Sequence, residues 1–422
     1  MSILAAYAAC ISLLCGAPNV VFLSVDTLRA DYLGCYGYDH DSSPRLDAFA
    51  ESGLLFEDAV CEVPLTNPSF GSMLTSRYPR LNGVTRNGMP MPEAVPRVTG
   101  AFKAAGYQTF CVQSNWTLKA KLSALDTGFD VYEDAFHEKR WGFMKGERSA
   151  EDVTRIALDL LDKRDPSKPF FAWFHYSDPH APYEKHSKFN VVGEPYWRLD
   201  KIDRVRAKYA SEVAFTDHQI GRVLDALPED TCVLFVSDHG ESLYEHDYLG
   251  HGRRIYQDNL HIGFIMHGPG ITPGRSKAPV RGIDVAPTLL GMAGLPPLEG
   301  MLGMNLLATT PPDTRHRVVE TYGGAVLDIP GVRDIMEDAG PMRQGAILQG
   351  WKLILGDARP ELFFLPDDPR ELNNLYEKQP DKAAELEALI KAWTTQNEAV
   401  EGGAADLDQD DLDALKSLGY LE

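Results

Sequence analysis

The chain has 422 residues, of which 44% are hydrophobic and 10% aromatic, enough for one large globular domain and a smaller one. Its formal net charge of −20 disfavours binding to a phosphate backbone, so we expect no nucleic-acid partner. A small anionic substrate remains compatible with this charge, because a bound cation can invert the local field.

Residues 1–17 have the pattern of a signal peptide. The apolar run Ile3–Leu14 is followed by the small residues Gly16 and Ala17, which suit cleavage, although a basic start is missing. The run is short for a membrane span, so the mature chain is expected to be exported, periplasmic or extracellular, with no membrane-spanning segment. A ragged N-terminus of a cytoplasmic protein and a lipid anchor on Cys15 are the alternatives.

Two buried-strand patterns each end in a carboxylate. Asn19–Val25 leads into Asp26, and the apolar run Cys232–Val236 leads shortly into Asp238 and His239. Ligands of open α/β sheets bind beyond the carboxyl ends of the strands, and carboxylate with imidazole is a common ligand pairing for divalent metals. An ordinary strand-to-loop turn is the alternative interpretation.

A third segment places a hydroxyl at a predicted helix start. Thr66 precedes Pro68, and Phe70, Met73 and Leu74 then follow with helical spacing. The positive end of the helix dipole favours a deprotonated hydroxyl and a nearby anion. A plain helix cap would give the same pattern.

The rest of the chain alternates between the two secondary structures. Helices are predicted near 44–53, 93–105, 150–163, 201–227 and 284–293, and further buried strands at 108–112, 169–175 and 263–266. This order predicts an α/β fold with a mainly parallel sheet sandwiched by helices. Beyond Leu307, short strands at 317–321, 345–349, 351–355 and 361–365 and a helix at 380–393 predict a small antiparallel sheet plus helix.

These patterns suggest four parts: a signal peptide (1–17), a catalytic α/β domain (18–307), a small C-terminal α+β subdomain (308–400), and an acidic linker with a terminal helix (401–422). Four cysteines lie beyond the leader and are expected to be thiols rather than disulfides: Cys35, Cys61, Cys111 and Cys232.

Taken together, the segments resemble the sulfatase family of the alkaline phosphatase superfamily. Val25–Arg29 and Ser237–Glu241 look like its two metal loops, Pro68–Pro79 its nucleophile helix, and Asp178–Tyr183 its substrate-histidine loop. The resemblance implies an alkaline phosphatase/sulfatase-like fold and an enzyme that hydrolyses sulfuric or phosphoric esters.

The chain departs from the family pattern at the nucleophile and at the cations. Sulfatases have a cysteine, matured to formylglycine, where this chain has Thr66, and Cys61 stands at the wrong spacing. Thr27 replaces an aspartate of the first metal loop. Three substrate-binding cations of the family are replaced by Phe70, by the Ser114–Trp116 segment and by His251.

A threonine nucleophile is similar to that of the nucleotide pyrophosphatase/phosphodiesterases and the phosphoethanolamine transferases of the same superfamily. The transferases also share the pattern of Ser237–Ser242 followed by His251 and Gly252. We therefore expect hydrolysis of phosphate monoesters or diesters rather than sulfate esters. A phosphoethanolamine-type group transferase and a catalytically silent relative that binds an anion or glycan are the alternatives.

The resemblance implies the roles of seven residues. One divalent ion, with zinc or manganese favoured and calcium possible, would be bound by Asp26, Thr66, Asp238 and His239. Thr66 would attack the ester, while His180 and His251 would bind its oxygens or protonate the leaving group, with Asn115 also contacting the substrate. A second ion at Asp178, His180 and His251 is left open. The substrate would be a small anionic ester of a sugar, lipid headgroup or aryl alcohol.

Overall fold

A computed structural model describes residues 16–135, 139–140, 144–145, 147–322, 343–356 and 359–403. Most of the signal-peptide prediction, at residues 1–15, and the terminal-helix prediction, within residues 404–422, lie outside the described residues.

Eight strands form the main sheet. In chain order they are β1 (Asn19–Val25), β2 (Leu54–Phe56), β3 (Gln108–Val112), β4 (Val131–Glu133), β5 (Phe170–Tyr176), β6 (Thr231–Ser237), β7 (Phe264–His267) and β8 (Gly274–Ser276). Their order across the sheet is β8–β2–β7–β6–β1–β5–β3–β4. Only β7 runs against its neighbours, so the mainly parallel sheet is confirmed.

The register of the three central strands aligns their carboxyl ends. Val25 at the end of β1 pairs with Tyr176 of β5 on one side and with Ser237 of β6 on the other. The next residues, Asp26 and Asp238, therefore leave the same edge of the sheet side by side. The pairing of β1 with β6 thus brings together Asp26 and Asp238, which are more than two hundred residues apart in the sequence.

Alternation along β1 supplies a core on both faces. Val20 and Phe22 pack into one hydrophobic cluster, and Val21 and Leu23 pack into the other, as expected for side chains of period two. Longer helices cover these faces: Pro44–Glu51, Thr66–Thr75, Val98–Ala104, Ala150–Lys163, Lys201–Leu224 and Val285–Met292. No helix among the described residues is long and apolar enough to span a bilayer.

Short elements connect the main ones. The short helices are Pro79–Asn82, Ala120–Ser123 and Gln257–Leu260, and the 3₁₀ turns are Ala30–Tyr32, Gly34–Tyr36, Trp116–Leu118, Ser187–Phe189, Tyr196–Arg198, Glu245–Asp247 and Gly282–Asp284. Two-stranded pairs join Ala59–Val60 with Val280–Arg281, Lys139–Arg140 with Met144–Lys145, and Ser242–Leu243 with Leu249–Gly250.

The C-terminal part is an antiparallel sheet with one helix, as predicted. Its strands, in both chain and spatial order, are β9 (Arg317–Thr321), β10 (Arg343–Leu348), β11 (Trp351–Leu355) and β12 (Glu361–Phe364). Leu386 and Ile390 of the helix Pro380–Gln396 pack on this sheet. A buried bidentate ion pair between Arg80 and Glu320, with nitrogen–oxygen distances of 2.5 and 2.9 Å, joins it to the main domain.

Two local predictions differ from the structure. The helix predicted over 93–105 begins only at Val98, because Pro96 cannot continue a helix through its own position and biases Val95 towards extended backbone. Strands β2, β4 and β8 were not predicted, since three residues are too few to establish an alternating pattern. The free thiols of Cys61, Cys111 and Cys232 are buried, and that of Cys35 is half-buried.

Candidate active site

The imidazole of His239 lies at the centre of the predicted metal ligands. Its Nε2 atom is 3.4 Å from Asp238 Oδ2, 3.8 Å from Asp26 Oδ1 and 3.5 Å from Thr66 Oγ1. All four side chains are fully buried. The structure therefore brings together four residues that the sequence places on three separate segments.

The two carboxylates each keep one oxygen for a ligand. Among the described residues, Asp26 Oδ1 and Asp238 Oδ2 have no hydrogen-bond donor. Their other oxygens are engaged: Asn115 Nδ2 donates to Asp26 Oδ2, while the backbone N–H groups of Thr27 and His239 donate to Asp238 Oδ1. Buried carboxylate oxygens without donors are costly unless a cation binds them, so these residues fit a divalent metal ion.

The pKa shifts of Asp26, Asp238 and His239 also fit a bound cation. Burial, followed by the nearby Asp26 charge, raises the pKa of Asp238. Burial also raises the pKa of Asp26, but the His175 hydrogen bond and the histidine charges outweigh it and leave that pKa lowered. Burial and the charge of His251 lower the pKa of His239 to about 3, so its imidazole is neutral, the state in which histidine binds metals.

Thr66 is the first residue of its helix rather than a capping residue. The N-cap position is Leu65, which makes no side-chain cap, and all ten residues of Thr66–Thr75 are buried. Ser69 Oγ donates to the Asp238 carbonyl at 2.8 Å and so fixes the helix against the second metal loop. The Thr66 hydroxyl consequently faces the ligand cluster instead of the helix backbone.

Thr27 has a strained backbone next to Asp26. Its φ is +54°, an uncommon value for a β-branched residue, which costs of order 1–3 kcal/mol. The strain is held by two hydrogen bonds, from the Thr27 N–H to Asp238 Oδ1 at 3.0 Å and from Tyr209 Oη–H to the Thr27 carbonyl at 2.6 Å. Thr27 thus positions the Asp238 carboxylate through its backbone.

A buried hydrogen-bond chain beneath Asp26 was not predicted from the sequence. Trp173 Nε1–H donates to Ser24 Oγ at 2.9 Å, and Ser24 Oγ lies 3.0 Å from His175 Nδ1. The other ring nitrogen of His175, Nε2, lies 3.7 Å from Asp26 Oδ2. The sequence carried one signal for this hydrogen-bond chain: Ser24 and His175 are polar residues inside otherwise apolar, buried strands.

Phe70, at the position where sulfatases have arginine, is a core residue. Its ring centroid lies 4.9 Å from that of Trp173 and 4.7 Å from that of His175, with Phe22 at 6.3 Å, and the side chain is fully buried. The ring therefore fills the space beneath the ligand cluster and supplies no charge to it.

Replacing Phe70 with alanine is expected to destabilise the protein by about 3–5 kcal/mol, because it removes a buried ring and leaves a cavity. The midpoint of urea unfolding measures the change. Leu372→Ala is the control, since that side chain is 65% exposed and its loss should cost less than about 0.5 kcal/mol. Equal midpoints for the two variants would contradict the packing role of Phe70.

Asn115 lies between Asp26 and Thr117. Its amide nitrogen donates to Asp26, and its Oδ1 accepts from the backbone N–H of Thr117 at 2.8 Å and from the Thr117 hydroxyl at 2.7 Å. Asn115 is buried, and its bond to Asp26 orients that carboxylate.

His180 and His251 lie next to each other and to His239. Their ring centroids are 5.2 Å apart, and that of His251 is 4.6 Å from His239. Burial opposes a charge on His180, but its ion pair with Glu147 raises its pKa to about 10, so the ring is protonated near neutral pH. Among the described residues, Asp178 groups with His186 and Glu212, with ligand atoms within 4.8 Å of one another.

A cavity of about 490 Å³ lies between the main sheet domain and the C-terminal part. Its lining includes Arg29, Arg206, Glu245 and Glu371, and none of the seven predicted site residues. The candidate active site is therefore defined by its converging side chains and not by this cavity.

Comparison with known proteins gives the family. Residues 18–295 match the protein-family model described as Sulfatase, which is more than half of the chain. The chain belongs to the sulfatase family. Its members are ester hydrolases that bind a divalent metal ion, and this sulfatase-family protein is an ester hydrolase by the same relationship.

Three relatives show how far the similarity extends. An arylsulfatase of Clostridium perfringens is 26% identical over 482 residues, covering 91% of this chain and 98% of that protein. A choline-sulfatase of Rhizobium meliloti is 23% identical, covering 86% and 83%. The structure of a phosphonate monoester hydrolase of Agrobacterium radiobacter is 21% identical with a TM-score of 0.73, covering 90% and 96%. The sequence similarity to the first two proteins and the fold shared with the third therefore extend over most of this chain.

Proposed function

We propose that this protein hydrolyses small anionic esters with Thr66 as the nucleophile, and phosphate monoesters or diesters in preference to sulfate esters. The observation that supports this most is the position of Thr66 Oγ1, 3.5 Å from His239 Nε2 inside the cluster with Asp26 and Asp238. A hydroxyl in that position has few structural reasons to be there, because it caps no helix.

Asp26, Asp238, His239 and Thr66 would hold a divalent ion, and their mixed nitrogen and oxygen ligands favour zinc or manganese over calcium. Such an ion lowers the pKa of a bound hydroxyl and neutralises an ester oxygen. Thr66 is also the first residue of the helix Thr66–Thr75, and the positive end of the helix dipole favours an anion there.

The residues of the chain account for the other steps. Thr66 releases its hydroxyl proton to solvent, its Oγ attacks phosphorus in line, the bond to the leaving alkoxide breaks, and Thr66 becomes a phosphoester. His180, protonated at neutral pH, donates a proton to the alkoxide or a hydrogen bond to the oxygens on phosphorus. Water then attacks the phosphorus of the Thr66 ester, which releases phosphate and restores the hydroxyl.

Threonine favours phosphorus over sulfur for a chemical reason. A formylglycine hydrate has two hydroxyl groups on one carbon, so the second can expel a bound sulfate. Thr66 has one hydroxyl, and its ester must be cleaved by water at phosphorus or sulfur. A protein named phosphonate monoester hydrolase shares this fold, so the fold itself accommodates esters other than sulfates.

A substrate panel with one common leaving group tests the preference. We expect kcat/KM for 4-nitrophenyl phosphate, bis(4-nitrophenyl) phosphate or 4-nitrophenyl phenylphosphonate to exceed that for 4-nitrophenyl sulfate by at least about tenfold, or about 1.4 kcal/mol. Thr66→Ala, purified in parallel, controls for contaminating phosphatases. Faster cleavage of the sulfate would overturn the preference. Transfer of the phosphoryl group to an added alcohol rather than to water would favour the transferase.

A further inference from the structure

A turn in the chain beyond the helix Thr66–Thr75 lies against the start of that helix. The N–H group of Met89 donates to the Arg86 carbonyl at 3.4 Å, which places Asn87 and Gly88 at the centre of the turn. Gly88 has a φ of +76°, in the left-handed region that glycine adopts without strain. The turn therefore holds Asn87 in a defined place, although this residue belongs to no helix or strand.

Two hydrogen bonds join the turn to Asn67, the second residue of the helix. The Asn67 backbone N–H donates to Asn87 Oδ1 at 2.9 Å, and Asn67 Nδ2–H donates to the Met89 carbonyl at 2.9 Å. The first bond satisfies one of the N–H groups that the start of a helix leaves unpaired. Because a backbone N–H requires an acceptor, this bond also fixes which end of the Asn87 amide is the oxygen and which is the nitrogen.

The nitrogen end of the Asn87 amide is a buried donor. The side chain is fully buried, and no acceptor for Asn87 Nδ2 is found among the described residues. Nδ2 shares its carbon with Oδ1, so it lies near the peptide bond between Thr66 and Asn67 and thus near the proposed nucleophile. A buried N–H group that lacks an acceptor costs free energy, and an acceptor oxygen of a ligand offsets that cost.

Asn82, in the same part of the chain, has a purely structural arrangement. Its Oδ1 accepts from the Val84 N–H at 2.9 Å, and its Nδ2 donates to the Arg77 carbonyl at 3.2 Å. Asn82 and Asn87 are equally buried, and each is anchored through Oδ1 to a backbone N–H. The two residues differ at Nδ2, so anchoring alone does not account for Asn87.

We propose that Asn87 is a further catalytic residue, whose Nδ2–H donates to a non-bridging oxygen of the ester while Thr66 attacks. The proposal rests on the proposed function for the identity of the ester, but the donor can be tested with inorganic phosphate alone. A fixed donor at this position stabilises the charge on the oxygens of the transition state. It also supplies part of what is missing at Phe70, where sulfatases have arginine.

Nuclear magnetic resonance of the side-chain amides tests the contact in the unmodified protein. With ¹⁵N-labelled asparagine, we expect the NH₂ signal of Asn87, assigned by its absence from Asn87→Asp, to shift when inorganic phosphate is added. The Asn82 signal, assigned in the same way, should stay in place because its donor is already occupied. An Asn87 signal that moves no more than that of Asn82 overturns the proposal, whether or not the protein hydrolyses esters.

Kinetics test the role of Asn87 in the reaction. Asn87→Asp keeps the oxygen that accepts from Asn67 and removes the donor, so a purely structural role predicts little change. We expect kcat/KM to fall roughly 10²- to 10³-fold, as for other donors that act in the transition state. Asn87→Ala adds no charge, and its kcat/KM should still fall at least about tenfold.

Asn82→Asp is the matched control and should keep kcat/KM within about twofold of the wild-type value, even where it lowers Tm. Wild-type kcat/KM in Asn87→Ala would assign the effect of the aspartate to its charge and would overturn the proposal. A wild-type protein that cleaves none of the esters would count against the proposed function, and the phosphate titration then tests Asn87 by itself.

Discussion

Thr66→Ala is expected to lower kcat on the order of 10⁴-fold or more, since removal of a nucleophile leaves only binding and charge stabilisation. The fall should appear for every ester that the protein cleaves. Thr66→Ser, which keeps a hydroxyl on the same helix start, should retain most of the activity. Mass spectrometry of protein quenched during turnover should find the transferred group on the peptide that contains Thr66, and on no peptide of Thr66→Ala.

An unchanged rate in Thr66→Ala would remove this residue from the mechanism. Absence of any turnover in the wild-type protein, together with tight binding of an anionic ester, would instead favour a catalytically silent relative. The two results are distinguishable because the first requires a measurable wild-type rate.

Asp238→Ala is expected to lose the bound metal ion and to lower kcat on the order of 10³-fold, which corresponds to several kcal/mol of transition-state stabilisation. The physical reason is that Asp238 Oδ2 is a fully buried carboxylate oxygen 3.4 Å from His239 Nε2, without a hydrogen-bond donor among the described residues. Elemental analysis of the dialysed wild-type protein should find a single divalent ion, zinc or manganese, and addition of a strong chelator should reproduce the loss of rate.

The neighbouring group of Asp178, His186 and Glu212 supplies the control for this measurement. His186→Gln should leave the metal content and kcat near wild-type values. Retention of metal in Asp238→Ala combined with its loss in His186→Gln would show that the ion binds at the second group, and would contradict the proposed ligand set.

The sequence allowed the fold and the convergence of Asp26 and Asp238 to be predicted because both follow from buried strands that end in polar residues. Once β1 pairs with β6 in register, Asp26 and Asp238 must be neighbours. The same logic does not reach Glu147, which follows no strand pattern and meets His180 only through the tertiary fold. Glu241 lies in the same segment as Asp238 and His239, but spacing alone did not identify His251 as its partner.

The reversed strand β7 and the role of Phe70 also lay beyond pattern analysis. An apolar run such as Phe264–His267 has the same appearance in either direction, and direction is set by the connection that precedes it. Phe70 was noted as a missing cation, whereas its packing against Trp173 and His175 depends on residues a hundred positions away. The comparison of sequences showed that the arginine is absent at this position, and the three-dimensional packing explains why phenylalanine occupies it.

The aromatic cluster formed by Phe70, Phe22, Trp173 and His175 limits how this enzyme can be redesigned. Restoring arginine there would bury an unpaired guanidinium against Phe22 and Trp173, and an isolated buried charge costs far more than one ionic contact returns. A directed-evolution library that varies position 70 alone should therefore yield unstable chains rather than better sulfate cleavage. A cation at position 70 therefore requires coordinated exchange of the surrounding aromatic residues, which single mutations do not supply.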